Sequence, residues 1–111
     1  MRYYEELGLL DPPRRDSAGR RWFSDDDVAW LVFLRRMRET GMPLSQLSDY
    51  VSYRRAGVDG LAGVLAVLGE HRAAMLARRA ELDECLRIVD GKLAKYRMLE
   101  QQGRPPGPPE L

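Results

Sequence analysis

The chain has 111 residues, of which 44% are hydrophobic and 32% charged, and its formal net charge is +1. This length corresponds to one small domain, or to a small domain with an extension. The near-zero net charge does not by itself indicate a nucleic-acid partner. A single cysteine, Cys85, excludes an intrachain disulfide framework and is too few for a thiolate metal site. The start of the chain lacks a signal-peptide pattern, and no uninterrupted apolar run approaches a membrane span. We therefore expect a cytoplasmic protein with no cofactor, no metal and no membrane partner.

The first ten residues, MRYYEELGLL, have the pattern of the end of a helix. Tyr3, Leu7 and Leu10 recur at helical spacing, which predicts that these three side chains share one inward face. Gly8 is a suitable stop for the helix. Tyr4 then points to another side of the helix, which makes it the better candidate for contact with a partner.

The next stretch, RRDSAGRRWF at 14–23, predicts a two-stranded hairpin, because the turn-forming residues DSAG separate two pairs of arginines. A two-stranded hairpin is marginal alone, so we expect Trp22 or Phe23 to pack onto the helices. Arginines that flank a turn are suited to contact consecutive phosphates, which supply most of the affinity of proteins for DNA.

Two short helices are predicted after the hairpin. Ser24 is a candidate N-cap with Asp27 at the capping-box position, and the helix should run to about Thr40. Its predicted inward residues are Val28, Leu31, Leu34 and Met37, helped by Val32. Gly41 and Pro43 end it. The second helix is predicted over about 44–55, with Leu47, Tyr50 and Val51 inward.

A long helix is predicted over about 61–101, because apolar residues repeat every seven positions along it. The repeat consists of Leu61, Leu68, Met75, Leu82, Val89 and Tyr96, with Leu65, Leu86 and Leu93 at the companion position. Arg72 and Arg79 interrupt the companion position. Each would face its own copy in a parallel dimer, which favours an antiparallel coiled coil. The predicted dimer interface comprises Leu68, Met75, Leu82, Leu86, Val89, Leu93 and Tyr96.

From the residues alone, a DNA-contacting hairpin and a merely solvated charged hairpin both stay open. The candidate DNA-contacting residues are Arg2, Tyr3, Tyr4, Arg14, Arg15, Arg20 and Arg21. His71 is expected to be a packed or exposed histidine, and Cys85 a small packing residue. An enzyme is not expected, since no nucleophile and base stand at suggestive spacing and no glycine-rich phosphate loop is present.

Four motifs in this order resemble the MerR family of bacterial transcription regulators. They are RYYEELGLL, PPRRDSAGRRWF, FSDDDVAWLVFLRRMRETGMPLSQL and EHRAAMLARRAELDECLRIVDGKLAKYR. By this resemblance Arg2, Tyr3 and Tyr4 match the end of the recognition helix. The hairpin matches the wing, with Arg20 where many members have tyrosine.

The resemblance implies a mostly α fold. It would contain a partial winged helix-turn-helix domain with a two-stranded wing at 1–56. A long antiparallel coiled-coil dimerisation helix follows at 57–101, and a disordered tail at 102–111. Members of this family act as homodimers on pseudo-palindromic promoters. They distort the spacer of double-stranded promoter DNA so that RNA polymerase can use it.

Two departures from the family pattern shape the expected function. Members usually have further residues upstream of the segment that Met1 begins, which predicts a truncated amino terminus. The alternative function is therefore a dimerisation module without specific DNA binding, which could form heterodimers with a full-length relative. The effector cysteines of metal-sensing members are missing, so we expect no metal site, and the small-molecule effector is unknown.

Overall fold

A computed structural model describes residues 2–109 of the chain. Its elements are α1 (Arg2–Glu6), β1 (Arg14–Arg15), β2 (Arg21–Trp22), α2 (Asp25–Glu39), α3 (Leu44–Arg55), a 3₁₀ turn (Gly57–Gly60) and α4 (Leu61–Gln102). The expected mostly α fold, with a two-stranded wing and a long last helix, is confirmed. The chain forms two compact units, residues 1–72 and 73–111. The expectation for Met1 falls outside the described residues, as do the last two residues of the predicted tail.

Helix α1 is a short helix that ends sooner than the sequence pattern predicts. Gly8 adopts a positive φ of 75°, which the absence of a Cβ permits. The Leu7 amide still donates to the Tyr3 carbonyl at 3.2 Å, so the helical spacing holds between these two residues. The face that they share is nevertheless turned to solvent, and the two side chains are 54% and 45% exposed. The prediction of a buried Tyr3–Leu7 face was wrong. Leu10, the third residue of that predicted face, is buried as expected, and Leu9 is buried beside it in the sequence.

Helix α2 begins with the predicted capping box at Ser24. The Ser24 hydroxyl accepts from the Asp27 amide at 3.1 Å, and the Asp27 carboxylate accepts from the Ser24 amide at 2.9 Å. These hydrogen bonds from Ser24, with the nearby positive charge of Arg14 as a smaller cause, lower the pKa of Asp27 below its ordinary value. The sequence therefore places the start of this helix correctly.

The buried face of α2 is rotated from the predicted one. Leu31 and Leu34 are buried as expected, and Met37 packs against the core. Val28 and Val32 were expected to face inward, but they are 44% and 49% exposed. Their place is taken by the aromatic residues of the same helix, Trp30 and Phe33, which pack against the core cluster together with Tyr50 of α3.

The core of the first unit lies where α2 turns into α3. Leu34, Met42 and Leu47 are its largest fully buried side chains. Gly41 has a φ of 99°, which lets the chain reverse so that Met42 enters the core directly after the helix. The amide of Met42 donates back to the Met37 carbonyl at 2.9 Å, which closes the end of α2. The predicted bounds and inward residues of α3 are confirmed.

The first turns of α4 complete this core. Val64, Val67 and His71 are buried, and Leu68 packs against the same cluster. Leu68 thus contributes to the core of its own chain as well as lying on the predicted dimer seam. The Nε2 atom of His71 lies 2.8 Å from the Thr40 hydroxyl, so the buried imidazole is satisfied by a hydrogen bond. His71 is therefore a packed histidine.

The second unit consists of the rest of α4 and the residues that follow it. Its apolar seam is open along the described chain. Five seam residues are between 43% and 58% exposed: Leu82, Leu86, Val89, Leu93 and Tyr96. Cys85 is also exposed, so it does not pack within its own chain.

One stretch of α4 passes the length and composition test for a membrane-spanning helix, with a mean hydropathy of 1.2 over an 18-residue window. The core helix of a soluble protein passes the same test. The helix carries Glu70, His71 and Arg72 in consecutive positions, and His71 is buried in the core of the first unit. Only 17% of the window is buried within the chain, and length and composition alone are weak evidence for a membrane span.

A close approach between α3 and the end of the 3₁₀ turn yields a stability prediction. A Cβ on Gly60 would overlap the backbone carbonyl of Tyr53, whereas one on Gly69 would meet open space. We expect Gly60→Ala to lower the free energy of unfolding by about 2 kcal/mol or more, because backbone must move. Gly69→Ala is the control, and should raise it by about 0.5–1 kcal/mol through helix propensity. Chemical denaturation measures both, and equal changes of one sign would contradict the prediction.

Candidate nucleic-acid interface

The hairpin places three arginines on two very short strands and a fourth, Arg20, in the turn between them. Strands β1 and β2 are antiparallel, with Arg14 opposite Trp22 and Arg15 opposite Arg21. Strands of this length are not stable by themselves. Side-chain interactions within the hairpin and with α1 must therefore hold it.

Asp16 organises the turn of the hairpin. Its Oδ1 atom accepts from the amides of Ala18 at 2.9 Å and Arg20 at 2.8 Å. Its Oδ2 atom accepts from Nε of Arg20 at 3.0 Å. Gly19 has a φ of 80°, which suits a residue without a Cβ. This pattern is an extended form of the Asx turn, in which an aspartate replaces backbone partners.

Three of the four wing arginines are exposed at their charged ends and ordered by a partner in the hairpin. The guanidinium of Arg14 lies 5.5 Å from the centroid of the Trp22 ring, a cation–π geometry. Arg15 donates to the carbonyl of Gly19 at 2.8 Å. Arg20 pairs with Asp16, and its side chain is 81% exposed. The exposed arginines therefore lie in fixed positions around one turn.

The fourth wing arginine connects the hairpin to α1. Nη2 of Arg21 lies 2.8 Å from both carboxylate oxygens of Glu5. The two side chains are 29% and 14% exposed, so this ion pair is partly buried. Trp22 is 42% exposed beneath Arg14 and Phe23 is half-buried. Trp22 or Phe23 was expected to pack onto the helices, and Phe23 is the less exposed of the two.

Helix α1 presents Arg2 and Tyr3 to solvent and uses Tyr4 for packing. Tyr4 contacts the core cluster, and its carbonyl accepts from the amides of Leu9 at 2.9 Å and Leu10 at 3.2 Å. The expectation that Tyr4 is the more available tyrosine was therefore wrong. The rings of Tyr3 and Tyr4 meet edge to face with centroids 5.5 Å apart, so Tyr4 supports the exposed Tyr3.

The segment after α1 is fastened to α2 by one side-chain hydrogen bond. The indole Nε1 of Trp30 donates to the carbonyl of Leu9 at 2.9 Å. Leu9 itself is 3% exposed and belongs to the core. This fastening fixes the end of α1 relative to the helices of the first unit.

The combination of a helix-based core with an arginine-bearing two-stranded wing defines a DNA-binding regulator of the helix-turn-helix class. The profile of the MerR HTH regulatory protein family matches residues 1–54. The HTH-type transcriptional regulator YyaN of Bacillus subtilis strain 168 is 32% identical over 108 residues, which cover 86% of this chain and 78% of YyaN.

Two solved structures are similar over nearly the whole chain. A MerR family transcriptional regulator from Listeria monocytogenes superposes with a TM-score of 0.80 at 32% identity, covering 92% of this chain and 79% of that one. HiNmlR, a MerR family regulator lacking the sensor domain and bound to promoter DNA, gives a TM-score of 0.85 at 30% identity. That match covers 93% of this chain and 78% of HiNmlR. The chain belongs to the MerR family, whose members are DNA-binding transcriptional regulators and not enzymes.

Sequence reasoning missed the residues that hold the wing in place. Glu5 was part of a helix end with no assigned role, yet it binds Arg21 across 16 positions of the chain. The hydrogen bond from the Trp30 indole to the Leu9 carbonyl has no sequence signal. Asp16 was assigned to the turn, but not as the acceptor of three hydrogen bonds.

The turn of the wing gives a testable prediction. Asp16→Ala removes the acceptor for the amides of Ala18 and Arg20, and each lost bond is worth about 1 kcal/mol. We expect these two amides to exchange with solvent deuterium about fivefold faster. Asp16→Asn is the matched control, because its amide oxygen can accept the same two bonds and the exposed ion pair contributes little. Equal exchange in all three proteins would contradict the role of Asp16.

Proposed function

We propose that the chain acts as a homodimer that binds a pseudo-palindromic promoter in the cytoplasm and distorts the spacer of the DNA. The observation that carries this proposal is the open apolar seam of α4, in which Leu82, Leu86 and Val89 are each at least half exposed. A soluble protein rarely leaves a continuous apolar stripe uncovered unless another surface covers it.

The seam favours a second copy of the same helix as its partner. Its apolar residues follow a seven-residue repeat, which is the pattern of helices that pair as coiled coils. Arg79 interrupts the companion position. In an antiparallel pair it would meet a different residue of the other copy, such as the acidic Glu81, and not another Arg79. Charge therefore supports the antiparallel arrangement.

The wing and α1 supply the proposed contacts with DNA. Arg2, Tyr3, Arg14, Arg15 and Arg20 have exposed side chains. Cationic groups on phosphates position a protein on the duplex, and side chains that reach the grooves read its sequence. Tyr4 acts in this proposal through its contact with Tyr3. HiNmlR, which this chain resembles, is bound to promoter DNA, and this likeness supports the same kind of ligand here.

A dimer with two-fold symmetry presents two such surfaces to the DNA. Symmetric dimers bind inverted half-sites at a spacing set by the protein. A protein that requires a spacing different from that of relaxed DNA must bend or untwist the duplex. Distortion of the spacer would act on RNA polymerase indirectly, through the shape of the promoter.

A charged substitution in the seam should prevent dimerisation. We expect Leu86→Asp to convert the dimer to a monomer in sedimentation equilibrium, because it places a charge in the middle of an apolar interface. Ala77→Asp is the control, since Ala77 is also exposed on α4 but lies off the seam. It should leave the dimer intact. A Leu86→Asp protein that stays dimeric would exclude this seam as the interface.

The orientation of the two helices is measurable by spin-label distances. Labels are placed at Ala77→Cys in one sample and Met98→Cys in another, with Cys85→Ser in both. At about 1.5 Å per residue, an antiparallel dimer must separate at least one of these label pairs by about 30 Å or more. A parallel dimer in register gives two short distances, which would contradict the proposal.

Selection from a random DNA library tests the promoter model. We expect the chain to enrich inverted repeats of one fixed separation, because the dimer sets the distance between its wings. Dyes placed outside the two half-sites should change their energy transfer on binding if the spacer is distorted. Insertion of about 5 base pairs, half a turn of the duplex, should abolish binding.

The outcome that would contradict the proposal is equal binding of selected and unrelated duplexes. That result would support the alternative function, a dimerisation module without specific DNA binding. A matched experiment with Leu86→Asp distinguishes the two further. Loss of dimerisation should weaken binding to the paired half-sites much more than binding to a single half-site.

A further inference from the structure

The contact between Glu5 and Arg21 differs from the other ion pairs of the described residues. Nη2 of Arg21 lies 2.8 Å from each oxygen of the Glu5 carboxylate. The side chains are 29% and 14% exposed. In the Arg20–Asp16 pair, by comparison, they are 81% and 35% exposed. Exposed pairs contribute little to stability, whereas breaking a covered pair leaves a charge without its partner.

The same pair reduces the repulsion between two arginines of the hairpin. Arg15 and Arg21 lie directly opposite each other on the two strands, and like charges in that arrangement repel. The Glu5 carboxylate balances the charge of Arg21. Arg15 donates to the neutral carbonyl of Gly19, so it keeps its full positive charge. Of the two opposed arginines, Arg21 is therefore balanced by a carboxylate, whereas the hydrogen-bond partner of Arg15 is a neutral carbonyl.

The pair also joins two elements that are short on their own. Helix α1 has 5 residues and each strand of the hairpin has 2, and elements of this size are marginal without tertiary contacts. A covered ion pair between them fixes where the exposed arginines of the wing lie relative to Arg2 and Tyr3.

We infer that Arg21 is a positioning residue for DNA binding, which holds the wing against α1 through Glu5 and does not itself neutralise a phosphate. Counterion release, which supplies much of the affinity for DNA, requires positive charge that no neighbouring carboxylate balances, and Glu5 balances Arg21. Arg14 lies over the neutral Trp22 ring and Arg15 donates to the neutral Gly19 carbonyl, so both supply that unbalanced charge. Arg20 is paired with Asp16, but this pair is exposed and contributes little, so a phosphate can replace the carboxylate. The inference rests on the proposed DNA contacts of the wing and α1, and it revises the expectation that Arg21 is itself a contact.

The sign of the effect at Glu5 distinguishes positioning from simple electrostatics. Removal of an acidic charge near DNA strengthens binding if charge alone matters. Under the positioning role, Glu5→Gln weakens binding, because the wing loses its link to α1. Arg21→Gln should weaken binding by a similar factor of about ten. The two losses should not add in the double variant, since both break the same pair.

The experiment measures the dissociation constant of each variant against salt concentration, on a selected duplex and on an unrelated one. Arg15→Ala should lower the slope of the logarithmic plot by about one. Arg21→Gln should weaken binding with the wild-type slope. Thermal unfolding confirms that each variant is folded. The exchanged variant, Glu5→Arg with Arg21→Glu, restores the pair and should recover most of the affinity if the single variants fold poorly.

A slope that falls by about one in Arg21→Gln, together with tighter binding by Glu5→Gln, would overturn the positioning role. Failure of the exchanged variant to bind better than the single variants would also count against it. Failure of the proposed function, DNA binding by the wing and α1, would give a different result. That failure appears in the wild-type chain as equal affinity for the two duplexes, while the slopes of the variants can still be compared on either duplex.

Discussion

The surface that we propose for DNA contact depends on the burial of Leu9. This residue follows a helix too short to be stable alone, and it inserts into the core at 3% exposure. The indole of Trp30 donates to its carbonyl, which ties the backbone as well as the side chain to α2. Helix α1 is held by this attachment, and the wing is joined to α1 through the Glu5–Arg21 pair. The positions of the exposed arginines therefore depend on the apolar core, which holds α1 through Leu9 and the wing through α1.

The two compact units differ in how far their apolar side chains are buried within the chain. The first buries its apolar side chains within one chain, with Leu34, Met42 and Leu47 at its centre. In the second, the apolar side chains of the seam remain exposed. Helical stability in proteins comes mainly from packing an apolar face against something else. In the proposed dimer, a second copy would cover the seam and supply that packing.

Local signals in the sequence predict the helices of this fold well. The Ser24 capping box and the left-handed Gly41 mark the bounds of α2, and the inward residues of α3 follow from simple periodicity. Periodicity groups the residues of one helix face but does not show which face meets the core. Tyr3 and Leu7 share a face of α1, and that face is exposed.

The candidate site was predicted by residue type but not by role. Arginine pairs around a turn identify the wing, and the resemblance to a known family assigns it to DNA. The partners of those arginines are set by tertiary structure, and Glu5 lies 16 positions from Arg21. Nothing in the local sequence separates an arginine that binds a carboxylate from one that remains available to phosphate. Likewise Val28 and Val32 fit the helical pattern, but the larger rings of Trp30 and Phe33 occupy the core-facing side.

The Glu5–Arg21 pair and the burial of Leu9 predict that α1 and the wing form one ordered surface before DNA is present. Backbone ¹⁵N relaxation of the free protein measures this order. Order parameters of about 0.85 at the amides of Glu5, Arg15 and Arg21, equal to those of α2, are the predicted result. Values below about 0.6 at the wing amides, with α2 still rigid, would show that the wing becomes ordered only on DNA and would contradict the account.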